Sequence, residues 1–212
     1  MNLNIVPAKF IKEGLKQTVF DKHNNQTKEK IDEIRCNTPV EVLFEGADTE
    51  IYKPTKEFSK DLVDELKGIK EDFCFLFVGH WLQGGLGNDR KDVGALIKIF
   101  YESFGRKVNK PALILKTCGS TPSVIDKYEV LGKIDKIKKQ FPGQNLPPVY
   151  LLHGDLTDNQ MNALYHHPKV KAMVMFTHGE GFGRPLLEFS TTGKPILAVS
   201  YTHLTLPTTP YV

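Results

Sequence analysis

The chain has only three cysteines among its 212 residues, Cys36, Cys74 and Cys118, and they lie far apart. An odd, scattered set excludes a disulfide framework and leaves no pair at metal-ligand spacing. No apolar run is long enough to span a bilayer and no signal-like segment opens the chain, so a cytoplasmic setting is the default expectation. Charge of one sign is also lacking: 28 Lys and Arg against 25 Asp and Glu give +3. That excess is too small to argue for nucleic acid as a partner. The basic run Lys133–Lys139 carries Ile134 and Ile137 at helical spacing, which reads as the solvated face of an amphipathic helix. Asn25-Gln26-Thr27 matches a glycosylation sequon but carries no weight without secretion. Internal repeats are absent, as is any compact carboxylate pair of the metal-binding kind.

What is present is an alternation of short apolar runs with helical patterns. The predicted strands are Val40–Phe44, Phe73–Val78, Ala112–Leu115, Val149–Leu152, Ala172–Phe176 and Ile196–Ala198. The predicted helices are Ser59–Leu66, Val93–Phe104, Val124–Lys139, Asp158–His166 and Pro185–Thr192. Leu96, Ile97, Phe100, Tyr101 and Phe104 form a clear helical stripe. Strands joined by helices in this way imply βαβ units and an α/β, Rossmann-like parallel sheet with flanking helices. Ligands of such sheets collect beyond the carboxyl ends of the strands. Four polar or glycine-rich segments fall there: Gly79–Lys91, Lys116–Ser120, His153–Leu156 and Thr177–Gly183. Upstream, Pro7–Leu15 reads as a turn into a helix, Asp21–Lys30 as polar and exposed, and Tyr52-Lys53-Pro54 as the end of an extended connector.

The segment Thr177–Pro195, THGEGFGRPLLEFSTTGKP, is the most informative. Glu180 and Glu188 are separated by seven residues, with Gly181, Gly183 and Pro185 between them and VKAMVMF just before. The order implies a strand, a glycine-rich turn and a helix with proline in its first turn. A helix opening there aims free N–H groups and its positive dipole end at an anion, and a carboxylate on it can accept hydrogen bonds from sugar hydroxyls. The expected ligand is both phosphorylated and polyhydroxylated.

Four segments resemble, in order, a GT-B glycosyltransferase of the retaining family 4. VEVLFEGADTEIYKP resembles the connector into the C-terminal domain. FLFVGHWLQGGLGNDRKDVGALIKIF resembles its first strand, phosphate loop and helix. VYLLHGDLTDNQMNALYHHP resembles the base-side loop and helix, and EGFGRPLLEFSTTGKPILA the acid-x7-acid motif with the strand after it. The resemblance implies a nucleotide-sugar donor, with Glu188 on the ribose hydroxyls and Glu180 facing the transferred sugar as the catalytic position. It also implies sugar and diphosphate contacts from Gly181, Phe182 and Gly183, Lys91 on the diphosphate, and the base near Gly154, Asp155 and Leu156. Gly79 ends the first strand. His80 stands where the family usually has arginine, and Arg90 is a candidate for the missing charge. His178, beside the motif, is a further donor contact. Arg184 replaces an often apolar residue, and reads either as a cation near the leaving group or as a surface pair. The family needs no divalent metal in this domain and no cofactor besides the donor substrate. The acceptor, whether sugar, lipid or protein, is not legible, and membrane-surface association is not indicated.

Several residues also have plainer readings. His153 reads as a loop-holding residue, His166 and His167 as helix C-terminal caps, Trp81 as the anchor of the long Gly84–Asp89 loop, and Cys74 as core. Residues 1–55 read as the end of an N-terminal domain plus connector, and 56–198 as an incomplete nucleotide-sugar-binding domain. Val199–Pro207 matches the translation of a transposase sequencing-library adapter, so 199–212 reads as a non-native tail and the chain as a fragment inactive alone. Two alternatives stand beside the transferase: a non-catalytic nucleotide or sugar-phosphate-binding module, and a GT-B nucleotide-sugar epimerase.

Overall fold

A computed structural model describes residues 2–82 and 88–199. Most of the long loop and the tail from Ser200 lie outside these residues. The chain divides into two compact units, Met1–Gly46 grouped with Gly181–Gly183, and Ala47–Glu180 with Arg184–Val212.

The first unit holds β1 (Asn4–Val6), α1 (Lys9–Gln17), β2 (Val19–His23), β3 (Lys30–Arg35) and β4 (Val40–Val42). β1 pairs parallel with β4, and β2 forms an antiparallel hairpin with β3. The expected exposed segment Asp21–Lys30 is indeed exposed, yet its ends are strand. Lys30 bridges Asp21 at 2.6 Å and Glu33 at 2.9 Å, so charge pairs across and along the hairpin replace the apolar alternation that would have signalled it.

The second unit holds α2 (Lys60–Leu66), β5 (Cys74–Val78), α3 (Val93–Phe104), β6 (Ala112–Lys116), α4 (Val124–Lys138), β7 (Val149–Leu152), α5 (Asp158–His166), β8 (Val170–Met175), α6 (Arg184–Ser190) and β9 (Ile196–Ala198). Five strands form one parallel sheet in the order β7-β6-β5-β8-β9, with helices flanking it. β5 is apolar throughout, β6 is apolar up to its last residue, Lys116, and both are largely buried, as a strand covered on both faces requires. Three of these helices, α2, α4 and α5, start at side-chain caps: Ser59 accepts from the Leu62 amide, Ser123 from Asp126, and Thr157 with Gln160 closes a capping box. The expected core stripe of α3 is buried from Leu96 through Tyr101, with Phe104 packed against it. The connector packs on α5: Tyr52 is buried, its hydroxyl donates to Asp158 Oδ1 at 3.2 Å, and Lys53 O accepts from Asn162 Nδ2 at 2.9 Å.

β6 and β7 lie to one side of β5, β8 and β9 to the other. The chain therefore reverses direction between β5 and β8, and the crevice at their carboxyl ends is where a doubly wound sheet receives its ligand.

Candidate functional site

The loop returning after β5 and the segment leaving β8 are stitched together at that crevice. Arg90 O accepts from His178 N at 2.8 Å and from the buried Thr177 hydroxyl at 3.1 Å. Arg90 Nη1 in turn donates to Gly179 O at 2.9 Å and lies 3.8 Å from Glu180 Oε2. Lys91 Nζ donates to Glu180 Oε1, and both side chains are nearly buried, 8% and 9% exposed. Two charges so withdrawn from water persist only as a pair, because either one alone would carry the desolvation penalty uncompensated. Gly79 lets the lysine shaft pass: a Cβ there would sit 3.2 Å from Phe77 Cζ and 3.4 Å from Lys91 Cε. Of the expected residues, Gly79, Arg90, Lys91, His178 and Glu180 thus share the β5–β8 crevice.

Glu188 belongs to a different cluster. It sits on α6, 5% exposed, with Oε1 accepting from Arg184 Nε at 2.6 Å and Oε2 from the Tyr165 hydroxyl at 3.1 Å. Arg184 is itself half-exposed, but the carboxylate it pairs with is buried. Burial, then the Glu188 charge, pushes the Tyr165 hydroxyl well above its ordinary value, so it remains a donor. Tyr165 is locked edge-on against Phe189, centroids 5.7 Å apart, and lies 6.2 Å from Tyr52. Each carboxylate oxygen offers two lone-pair directions, so Glu188 keeps acceptor capacity beyond these two bonds.

A third group joins the ends of β5, β6 and β7. His80 Nδ1 lies 3.2 Å from Gly119 O and 3.3 Å from Cys118 Sγ, a thiol that burial pushes up. Gly119 N donates to both Asp126 oxygens at 2.9 Å, and His153 Nε2 meets Asp126 Oδ2 at 2.7 Å. Burial alone would raise the Asp126 carboxyl, but the His153 and Gly119 hydrogen bonds outweigh it and hold it below the ordinary value. His153 therefore holds the loop, as expected. Gly154 takes φ 100° and its carbonyl accepts from Lys116 Nζ at 2.5 Å; burial lowers the pKa of that ammonium. Asp155 and Leu156 follow on the same loop after β7. Trp81 is buried, with Lys133 Nζ 5.1 Å from its ring centroid and donating to the Trp81 and Leu82 carbonyls at 3.2 Å. It anchors the start of the long loop, and Lys133 leaves the solvated face assigned to its run. Gly181, Phe182 and Gly183 group with the first unit; Gly183 takes φ 80°, a turn conformation suited to glycine.

Sequence reasoning missed Asp126, Tyr52 and Tyr165. Only Asp126 had a local signal, the Ser123-x-x-Asp126 cap. Among the described residues no group of three or more His, Cys, Asp or Glu is placed to hold a metal ion, and no helix is long and apolar enough to cross a membrane.

No protein-family model matches this sequence, and no curated protein does. Among solved structures the chain is similar to one described as trehalose-6-phosphate from E. coli bound with UDP-2-fluoro glucose, with TM-score 0.59 and 10% identity over 92% of this chain and 45% of that one. It is similar to Anabaena Alr3699/HepE in complex with UDP and glucose, with TM-score 0.50 and 17% identity over 75% of this chain and 38% of that one. It is also similar to an alpha,alpha-trehalose-phosphate synthase (UDP-forming) from Burkholderia vietnamiensis, with TM-score 0.50 and 9% identity over 90% and 42%. The chain spans less than half the length of these three. At such identities the likeness is one of fold: the five-stranded parallel sheet with flanking helices is that of GT-B C-terminal, Rossmann-like domains.

Proposed function

We propose that this chain is the donor-binding part of a glycosyltransferase that takes a sugar from a nucleotide-sugar, in the manner of the retaining family 4 enzymes. The observation that carries the reading is the nearly buried Lys91–Glu180 pair at the switch point between β5 and β8. An ammonium and a carboxylate side by side, with Arg90 next to them, suit a ligand that is anionic at one end and hydroxyl-rich at the other. Lys91 and Arg90 would meet the diphosphate, and Glu180 the transferred sugar. Glu188, held by Tyr165, would take the ribose hydroxyls, and the Gly154–Leu156 loop would lie along the base.

The chemistry follows from charge. As the glycosidic bond to the diphosphate breaks, negative charge grows on the leaving group, and fixed cations are worth most where charge develops. Glu180 holds the Lys91 ammonium in place before the ligand arrives, so little reorganisation is needed at the reacting moment. The ligands of the structural neighbours make UDP-glucose the first probe. Lys91→Met should weaken UDP-glucose binding at least tenfold in calorimetry, since a charge-assisted bond contributes roughly 1.5–3 kcal/mol. Undiminished binding in that variant would count against the diphosphate assignment.

A further inference from the structure

We propose that Tyr52 is a positioning residue for Glu188, so that the connector forms part of the ribose site; this rests on the donor-site reading above. The chain around Tyr52 is folded to present that one side chain. Asp48 closes a tight turn: its carbonyl accepts from Ile51 N at 3.1 Å and Tyr52 N at 2.7 Å, and its Oδ1 from Glu50 N at 2.9 Å. Asn162, buried on α5, fixes the far side of the turn through Lys53 O. The Tyr52 ring is thereby buried against Tyr165, the donor to Glu188 Oε2. A plain tether between domains is exposed and crossed by few contacts. A turn locked by a buried tyrosine and a buried asparagine does more than tether.

The Tyr52 hydroxyl reaches the same carboxylate. Burial, then the charges of Glu188 and Asp158 and the hydrogen bonds it can make to either, push that hydroxyl well above its ordinary value, so it stays protonated. Glu188, then Tyr52, in turn hold the Arg184 guanidinium charged. Glu188 is therefore ringed by Tyr165 from α5, Tyr52 from the connector and Arg184 from α6. A buried carboxylate with partners on three sides has little freedom to turn, and its remaining lone pairs point one way. A ribose hydroxyl then meets an acceptor already aimed, and a site built to bond a hydroxyl rejects the ligand that lacks it. Without the Tyr52 hydroxyl the carboxylate keeps its charge and its bond to Arg184 but gains freedom to turn. What suffers is the preference for ribose over deoxyribose.

Calorimetry of UDP-glucose and of its 2′-deoxyuridine analogue reads that preference. The wild type should bind UDP-glucose at least about tenfold more tightly, as expected for a hydroxyl bonded to a charged acceptor. Tyr52→Phe keeps the buried ring, and water replaces the donor lost by the exposed Asp158, so the variant should fold. It should cut the preference to about threefold or less. A merely structural tyrosine would shift both affinities together and leave their ratio alone. Deuterium exchange in the wild type gives a second readout that needs no variant. UDP-glucose should slow exchange at the Ile51, Tyr52 and Lys53 amides, and the deoxy analogue should slow it less. An undiminished preference in folded Tyr52→Phe, or connector exchange that UDP-glucose leaves unchanged, would overturn the inference while leaving donor binding by Glu188 intact. No preference in the wild type, or no binding of UDP-glucose, would overturn both.

Discussion

Replacing Tyr165 by phenylalanine removes one oxygen and leaves the ring in place. That ring is wholly buried and wedged against Phe189 and Tyr52, so the substitution opens no large cavity. What it removes is the donor to Glu188 Oε2 at 3.1 Å. A hydrogen bond to a charged group contributes about 1.5–3 kcal/mol, and losing it strands a buried carboxylate oxygen. Arg184 continues to serve Oε1, so the loss should fall toward the lower half of that range, about 2 kcal/mol. For a chain of this length that lowers the melting temperature by roughly 4–8 °C. Urea denaturation of the wild type, Tyr165→Phe, Glu188→Gln and the double variant would measure the coupling directly. The tyrosine should matter much less once the carboxylate has become an amide. A Tyr165→Phe cost below about 0.5 kcal/mol, or a cost unchanged in the Glu188→Gln background, would refute the claim that this hydroxyl holds Glu188.

Two further substitutions probe the group that joins the ends of β5, β6 and β7. A Cβ at Gly119 would lie 2.0 Å from Asp126 Oδ1, so Gly119→Ala must push the carboxylate off both the Gly119 amide and His153. We expect a loss of about 2 kcal/mol, measured by urea denaturation, within the usual range for forcing atoms into a packed site. The Asp126 carboxyl is held below its ordinary value of 3.8 in the folded chain. Its contribution is therefore present above pH 3.8 and is lost as pH falls through the lower folded value. Asp126→Asn should be less stable than the wild type at neutral pH, and the gap should close in strong acid. A gap that persists there would show that the pairing contributes little.

The sheet was legible because its signals are local. β7, β9, α3 and α5 fall at the predicted bounds, and the other sheet strands and helices within one or two residues. Apolar runs such as Cys74–Val78 and the stripe of α3 state their period within a few residues. The hairpin β2–β3 was not legible, because charged pairs between separate segments, such as Lys30 with Asp21, stabilise it in place of a buried face. The candidate site divides in the same way. Glycine, proline and acid placement marked the acid-x7-acid segment, and the β5–β8 crevice gathers Arg90, Lys91, His178 and Glu180. Tyr165 meets Glu188 across 23 residues, and His153 meets Asp126 across 27. Nothing in their own neighbourhoods announces either meeting.

The central claim is that the Glu188 carboxylate takes up the donor. Its most direct test is calorimetric titration of UDP-glucose into the wild type and into Glu188→Gln, with circular dichroism to verify that both are folded. Saturable binding to the wild type, weakened at least tenfold in Glu188→Gln, is the expected result, because a ribose diol loses its charged acceptor at a cost of roughly 1.5–3 kcal/mol. Equal affinity in the two folded proteins, or no binding to either, would contradict the account.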